Sequence, residues 1–464
     1  MKYIGPFLRI SSINKDSILS ELFHLSKESL KHIVLNSKCG IAIPLEDLKD
    51  NSFSNNDINI IKEFSPLLCL YKKADSKLID EYGNLVWNGE KFKKEVNSTS
   101  NAFMTLALLE LLDYYNSFET ICKDKYMYYK LYMSMCKNQL LFYASYLRNA
   151  EGVFVDKLDT TETFSENIVF EDKNKKFKFS DQALFMAAYY KYSCYGDKYS
   201  EDFKKFSLDI LNMFLDFKED LYTLSLEELN KICFGLNAFY NYSKDENAKL
   251  LLLDVCDLLV NKYQNTTFEE LKKPIEDKSL LFINLTFING FMPVIKFQEL
   301  SDRIFSDLIK LYDENLGIFY YSSDDKKISF SSFDIVLYLM CLLIQCTLKD
   351  SKDYQAMLYN IFKYQLVNSG VILSWPEAPN LDDVERYKNF SLKSEDLLEE
   401  QYFIMPNIST PENTQYAPIF VKNIDFNKKK ECFKQKKVSF YSETNMCIFF
   451  MLLYIHKFVK DNED

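Results

Sequence analysis

Asp181 and Asp334 each open a long apolar run, while Asp156 and Glu377 each follow a short extended segment that begins with glycine. Acids so placed suit acid–base work. A carboxylate in the first turn of a helix is held ionised by the helix dipole, which suits a general base. A carboxyl on a loop that can close and exclude water suits a proton donor. Asp159 and Glu162 share the Asp156 loop, and Asn101, Gln182, Glu227 and Glu443 stand at other helix starts. Glu395, Asp396, Glu399 and Glu400 form a run that reads as a solvated face. A plainer reading competes: acids at helix starts are caps, contributing a few tenths to about 1 kcal/mol each.

Aromatic and basic residues recur beside these acids. Trp87 closes Gly83-Asn-Leu-Val-Trp87 and Trp375 closes Gly370-Val-Ile-Leu-Ser-Trp375. Tyr320 and Tyr321 hold the same place in Gly317-Ile-Phe-Tyr-Tyr321, and Asp156 ends Gly152-Val-Phe-Val-Asp156. Flat aromatic rims suit stacking on the apolar C–H faces of sugars, and they equally suit packing of their own loops. Arg148 and Arg386 lie at loop edges, where a guanidinium fork suits a carboxylate or phosphate. As candidates we therefore take Asp156, Asp181, Asp334 and Glu377 for catalysis, and Trp87, Trp375, Tyr321 and Arg148 for ligand contact.

The elements that must position these residues read as two kinds of helix in alternation. Amphipathic helices are predicted at about 57–71, 125–147, 203–217, 247–263, 299–312 and 352–366. Helices apolar nearly all round are predicted at about 101–115, 181–195, 226–242, 279–292, 333–348 and 443–459; the run from Val336 to Ile344 leaves no polar face. A helix of that second kind must be covered on every side by protein. Six outer and six inner helices in strict alternation predict an all-α fold, an (α/α)6 toroid over 57–464, preceded by an N-terminal helical segment over 1–56. Inner-to-outer links are short, whereas 72–100, 148–180, 313–332 and 367–442 are long. Long loops in a compact domain usually carry function, so these four are expected on one face, around the inner-helix starts. Ser100, Ser180, Ser225, Ser332 and Ser442 are the expected caps there.

Composition bounds the partners. A formal charge of −11 argues against nucleic acid, whose phosphates demand a basic surface. Only four of the 56 basic residues are arginines, which, with abundant Asn, Ile, Tyr and Phe, reads as the imprint of an AT-rich bacterial genome. Cys136, Cys233, Cys256, Cys341 and Cys447 sit inside apolar helical runs and should be buried, unpaired thiols, as in a cytoplasmic protein. The greasiest run, Met446 to Ile455, is too short to span a bilayer. The three histidines have no partner at zinc-ligand spacing, and no P-loop or dinucleotide fingerprint occurs, so neither metal nor cofactor is expected.

Six outer–inner hairpins with one loop-rich face resemble the six-hairpin glycosidase-like superfamily, over about 57–464 and in architecture alone. That superfamily includes glycoside hydrolases with paired carboxylates, unsaturated-glucuronyl hydrolases, polysaccharide lyases and sugar epimerases. Epimerases typically rely on histidines, and His24, His32 and His456 do not fall at inner-helix starts. The resemblance therefore implies an intracellular glycoside hydrolase acting on an oligosaccharide or another small polar ligand. The alternative is a non-catalytic toroid that binds a protein or ligand, a catalytically dead relative. An isoprenoid-handling toroid rests on aromatic richness alone.

Overall fold

Helices that are apolar on every side bury themselves against one another, and here six of them do so in a closed ring. The computed structural model describes residues 13–48, 53–162, 167–173, 176–267, 271–321, 325–349, 351–380, 382–387 and 415–462; the 395–400 acidic run lies outside them. The inner helices are α4 (Ser98–Asn116), α6 (Phe179–Ser193), α8 (Leu226–Ser243), α10 (Pro274–Phe291), α12 (Ser332–Leu348) and α14 (Ser442–Asp461). Each packs on the next, and α14 returns to pack on α4. Helices α6 and α8 approach closely, since a Cβ on Gly235 would lie 2.8 Å from that of Ala183.

The outer layer is α1 (Lys15–Asn36), α5 (Lys123–Tyr146), α7 (Ser200–Asp216), α9 (Glu246–Gln264), α11 (Ile295–Ile309) and α13 (Lys352–Asn360), which continues as a π-helical stretch over Ile361–Val367. This is the expected (α/α)6 toroid, with one correction to its parts. The segment read as the first outer helix, 57–71, holds the end of a short helix α3 (Asn55–Ile61) and the strand β2 (Leu67–Ala74). The sixth outer helix is α1, which packs on α14, the last inner helix. A second short helix, α2 (Leu45–Leu48), lies against α5.

Strands knit the loops together over the inner-helix starts. Strand β2 pairs with β1 (Gly40–Ala42), β5 (Lys93–Val96) and β13 (Phe440–Tyr441); β5 continues to β6 (Lys157–Asp159) and β7 (Phe170–Asp172). The hairpin β3 (Ile79–Glu81)–β4 (Asn84–Val86) and the short pair β8 (Tyr312–Asp313)–β9 (Ile318–Phe319) precede a second sheet, β10 (Lys327–Ser331), β11 (Asn423–Asn427) and β12 (Cys432–Gln435). The 367–442 loop departs from the expected single face. Its 382–387 stretch reaches the opposite end of the ring, where Glu385 meets Tyr114 near the end of α4 and Lys125 at the start of α5.

The repeated glycine segment has a structural counterpart. After an outer helix the chain turns, Gly152 doing so at φ +86°, a conformation that disfavours side chains. The extended residue that follows is then held by a buried amide. Gln182 accepts from the Phe154 N–H at 3.0 Å and donates to its carbonyl at 2.9 Å. The same two-point clamp joins Asn101 to Leu70, Gln365 to Phe319 and Asn445 to Phe420. Gly83, by contrast, sits in the turn between β3 and β4. Because each amide satisfies two buried backbone groups at once, Gln182→Leu should cost about 2–6 kcal/mol, since each orphaned group costs about 1–3 kcal/mol. Urea unfolding measures this, and an unchanged midpoint would show that the clamp is dispensable.

Cys136, Cys233, Cys256, Cys341 and Cys447 are buried free thiols, as their apolar surroundings predict. Among the described residues no helix is long and apolar enough to cross a membrane.

Candidate functional site

All six inner helices begin at one cavity of about 630 Å³ in the centre of the loop-rich face. Their N-terminal turns lay out two rungs. The upper rung is polar, with Thr99 on α4, Ser180 on α6, Lys231 on α8, Glu276 on α10, Asp334 on α12 and Glu443 on α14. The lower rung, mostly one helical turn deeper, is apolar: Phe103, Leu184, Phe234, Leu280, Cys447 and Met451. Spacing of three or four residues stacks side chains on one helix face, so the ring's geometry alone turns this pattern into a polar wall over an apolar floor. Strand β2 adds Lys72 and the loops add Lys272, Lys273 and Lys422, with Tyr321 and Tyr441 as aromatic walls beside Phe333.

Two of the sequence-derived candidates, Asp334 and Tyr321, line this cavity. Asp334 forms a capping box with Ser331, its carboxylate accepting the Ser331 N–H at 3.0 Å while its own N–H donates to the Ser331 hydroxyl. Burial nonetheless outweighs those hydrogen bonds and holds its carboxyl above the ordinary range. Asp181 lies buried just behind the wall, where Thr99 donates to it at 2.5 Å. The helix dipole was expected to keep Asp181 an ionised base. Burial overrides the dipole, Lys178 at 4.0 Å and the Thr99 hydroxyl, and pushes the carboxyl up to about 7.

That shift has a signed consequence for stability. The folded carboxyl keeps its proton to about pH 7, whereas the unfolded one loses it near 3.8. Over that interval the native state binds more protons, so this group's contribution falls as pH rises and is fully lost above about 7. Asp181→Asn should therefore raise the melting temperature at pH 8 and leave it nearly unchanged at pH 4. A variant that melts lower at pH 8 would mean that the ionised carboxylate is stabilised by its surroundings.

The remaining candidates stand elsewhere. Asp156 caps α4 from the next hairpin, accepting the Ser98 N–H at 2.9 Å and the Asn97 amide at 3.3 Å. Glu228 does the same for α6 through the Ser180 N–H at 2.9 Å. Glu377 is exposed beside α1, where its backbone carbonyl bonds His24. Both tryptophans are buried against α1 rather than on a rim, Trp87 donating to His32 at 3.0 Å and Trp375 to Glu21 at 3.3 Å. Arg148 folds back on its own turn, its Nε donating to the Gly152 carbonyl at 2.7 Å and its guanidinium lying over Phe206. The loops that could have closed an acid over the cavity instead use Asp156 as a cap and the two tryptophans as anchors on α1. Of the five expected serine caps only Ser225 caps its helix; Asn97 and Ser331 serve α4 and α12.

Sequence reasoning missed Glu276. It is buried at the cavity wall, with Lys273 within 3.2 Å. Burial raises its carboxyl above the ordinary range, and the charge of Asp334 adds to this against Lys273 and Lys231. Its neighbour Asp277 is pushed up to about 6, by burial first and then by Glu276. Burial also works against ionisation of Glu227, yet Lys231 and Lys273 bring it down to about 2. The signal that could have found Glu276 is Pro274, a first-turn proline followed by two acids, which marks a helix start.

No family model matches the sequence, and no curated protein does. Solved structures do share the fold. A D-mannose isomerase superposes with a TM-score of 0.51 at 9% identity, covering 96% of this chain and all of that one. A sugar epimerase from a ruminal bacterium gives 0.50 at 9% identity, over 93% and 98% of the two chains. The chain thus shares its (α/α)6 toroid fold with these two structures.

Proposed function

We propose that this protein processes a carbohydrate in the central cavity, and that it does so as a glycoside hydrolase with Glu276 and Asp334 as its paired carboxyls. The observation that carries the reading is this pair. Two acids on neighbouring inner helices line one cavity, both raised above the ordinary carboxylate range by burial, and the charge of Asp334 is felt by Glu276. Acids pushed apart from solvent in this way are what proton transfer near neutral pH requires. In the step, Glu276 gives its proton to the glycosidic oxygen as the bond to the anomeric carbon breaks. Asp334 takes a proton from the water whose oxygen bonds to that carbon. Tyr321, Phe333 and Tyr441 supply faces on which a sugar ring can stack.

The D-mannose isomerase and the sugar epimerase that share the fold carry names of isomerising and epimerising enzymes, which fits the carbohydrate reading and poses the alternative chemistry. His24, His32 and His456 lie on α1 and α14 away from the cavity wall. A carboxyl pair therefore serves this cavity better than a histidine base. The test is a panel of oligosaccharides assayed for new reducing ends, with wild type and with Glu276→Gln and Asp334→Asn. Release by wild type alone supports hydrolysis. Sugar binding without turnover would make the protein a binding toroid, and aldose–ketose conversion without new reducing ends would replace hydrolysis by isomerisation.

A further inference from the structure

We propose that the sugar taken up by this cavity carries an anionic substituent, a carboxylate or a phosphate, held by Lys272 and Lys422 at the open starts of α10 and α14. The inference rests on the carbohydrate reading above and names the class of sugar. Its first support is charge. In a chain of net charge −11, the cavity wall carries five lysines (Lys72, Lys231, Lys272, Lys273 and Lys422) against three carboxyls, Glu276, Asp334 and Glu443. Lys72, Lys231 and Lys273 are engaged by Glu95, Glu227 and Glu276. Lys272 and Lys422 are exposed and form no ion pair among the described residues. They reach the cavity from two different loops.

The second support is independent of charge counting. Each helix start carries about half a positive charge and unsatisfied N–H groups, and six starts converge here. Most are already served. Asn97 and Asp156 cap α4, Glu228 caps α6, Ser225 caps α8, and Ser331 with Asp334 caps α12. The starts of α10 and α14 differ: their N-cap residues, Lys273 and Tyr441, make no side-chain cap. Those are the two starts flanked by the uncommitted lysines. Lys272 immediately precedes the α10 cap, and the Lys422 ammonium lies 5.5 Å above the Tyr441 ring. Helix starts without a side-chain cap, beside ammonium groups that form no ion pair among the described residues, suit an anion.

Calorimetric titration of the whole protein tests this with a galacturonic acid trisaccharide, its neutral galactose counterpart, glucose-6-phosphate and glucose. At least one charged probe should bind roughly tenfold or more tighter than its neutral partner, a margin that should shrink as salt rises. In the Lys272→Gln/Lys422→Gln double variant the charged-to-neutral ratio should fall toward one. Both side chains are exposed, so the melting temperature should hold. Preference for the uronide or for the phosphate identifies the substituent. Equal affinity for charged and neutral probes, or a preference that survives the double substitution, overturns the inference. Glu276-dependent cleavage of a neutral sugar with no charge preference would sink this proposal and leave the hydrolase standing. Charge-selective binding without cleavage would do the reverse.

Discussion

Glu276→Gln should lower turnover by a factor on the order of 10²–10⁴, the span typical of a lost general acid, while the melting temperature stays within a few degrees. Gln keeps the length of the side chain and an oxygen that can accept from Lys273, so the wall is not breached. What it loses is the proton. Because burial raises the Glu276 carboxyl, the protonated form persists above the usual carboxylate range, and the alkaline limb of the rate profile should report it. Lys273 pulls that carboxyl down, so Lys273→Met should move the limb to higher pH. A residue with only a structural role would shift stability and leave the limb in place. Steady-state rates across pH for the three proteins decide between these outcomes.

The second large effect is expected far from the cavity. Glu385→Ala should cost about 3–5 kcal/mol, the range seen when one member of a buried ion pair is removed. Glu385 bonds Lys27 of α1 at 2.5 Å, Lys125 of α5 at 2.6 Å and the Tyr114 hydroxyl of α4 at 2.8 Å. Burial opposes its charge, yet the two lysines hold its carboxyl down at about 2. Without it the Lys27 ammonium, almost wholly buried, keeps Glu28 at 2.9 Å as its remaining partner. Lys27→Met combined with Glu385→Leu should restore most of the loss, because an apolar pair of similar volume removes both desolvation costs. Denaturant unfolding of the single and double variants measures the recovery. A double variant as unstable as the single would mean that packing of the 382–387 stretch, not charge, holds α1 in place.

That buried cluster also explains where the sequence was hard to read. The inner helices were legible because apolarity on all sides has one solution, burial within a ring. Helix α1, by contrast, reads in sequence only as part of an N-terminal segment. Glu21, His24, Ser26, Lys27 and Ser29 are buried on several sides of it, and such buried polar residues blur any single apolar stripe. Strand β2, with its Leu-Leu-Cys-Leu run, supplied a stripe that looked helical instead. The cavity followed the same logic. Convergence of the inner-helix starts could be foreseen from alternation alone, and it brought Asp334 and Tyr321 to the wall. The roles of Asp156 and Glu228 as caps for a neighbouring helix depend on contacts between hairpins that no local pattern encodes. Glu276 precedes the apolar run at 279–292, because α10 begins at Pro274 with a polar first turn.

The ring closes between α14 and α4, and α1 packs outside that same seam. On a ribosome this order matters. The first outer helix emerges long before the inner helix it covers, and one flank of α4 waits through synthesis of the whole intervening ring. Until α14 arrives, the nascent chain is an open arc with two greasy edges, each able to receive an inner helix from another molecule. Such a chain is exposed to domain exchange and to capture by chaperones during its last stage of translation, and its non-local closing contact favours slow folding. Truncation just before α14 should therefore yield aggregated arcs rather than a smaller folded protein.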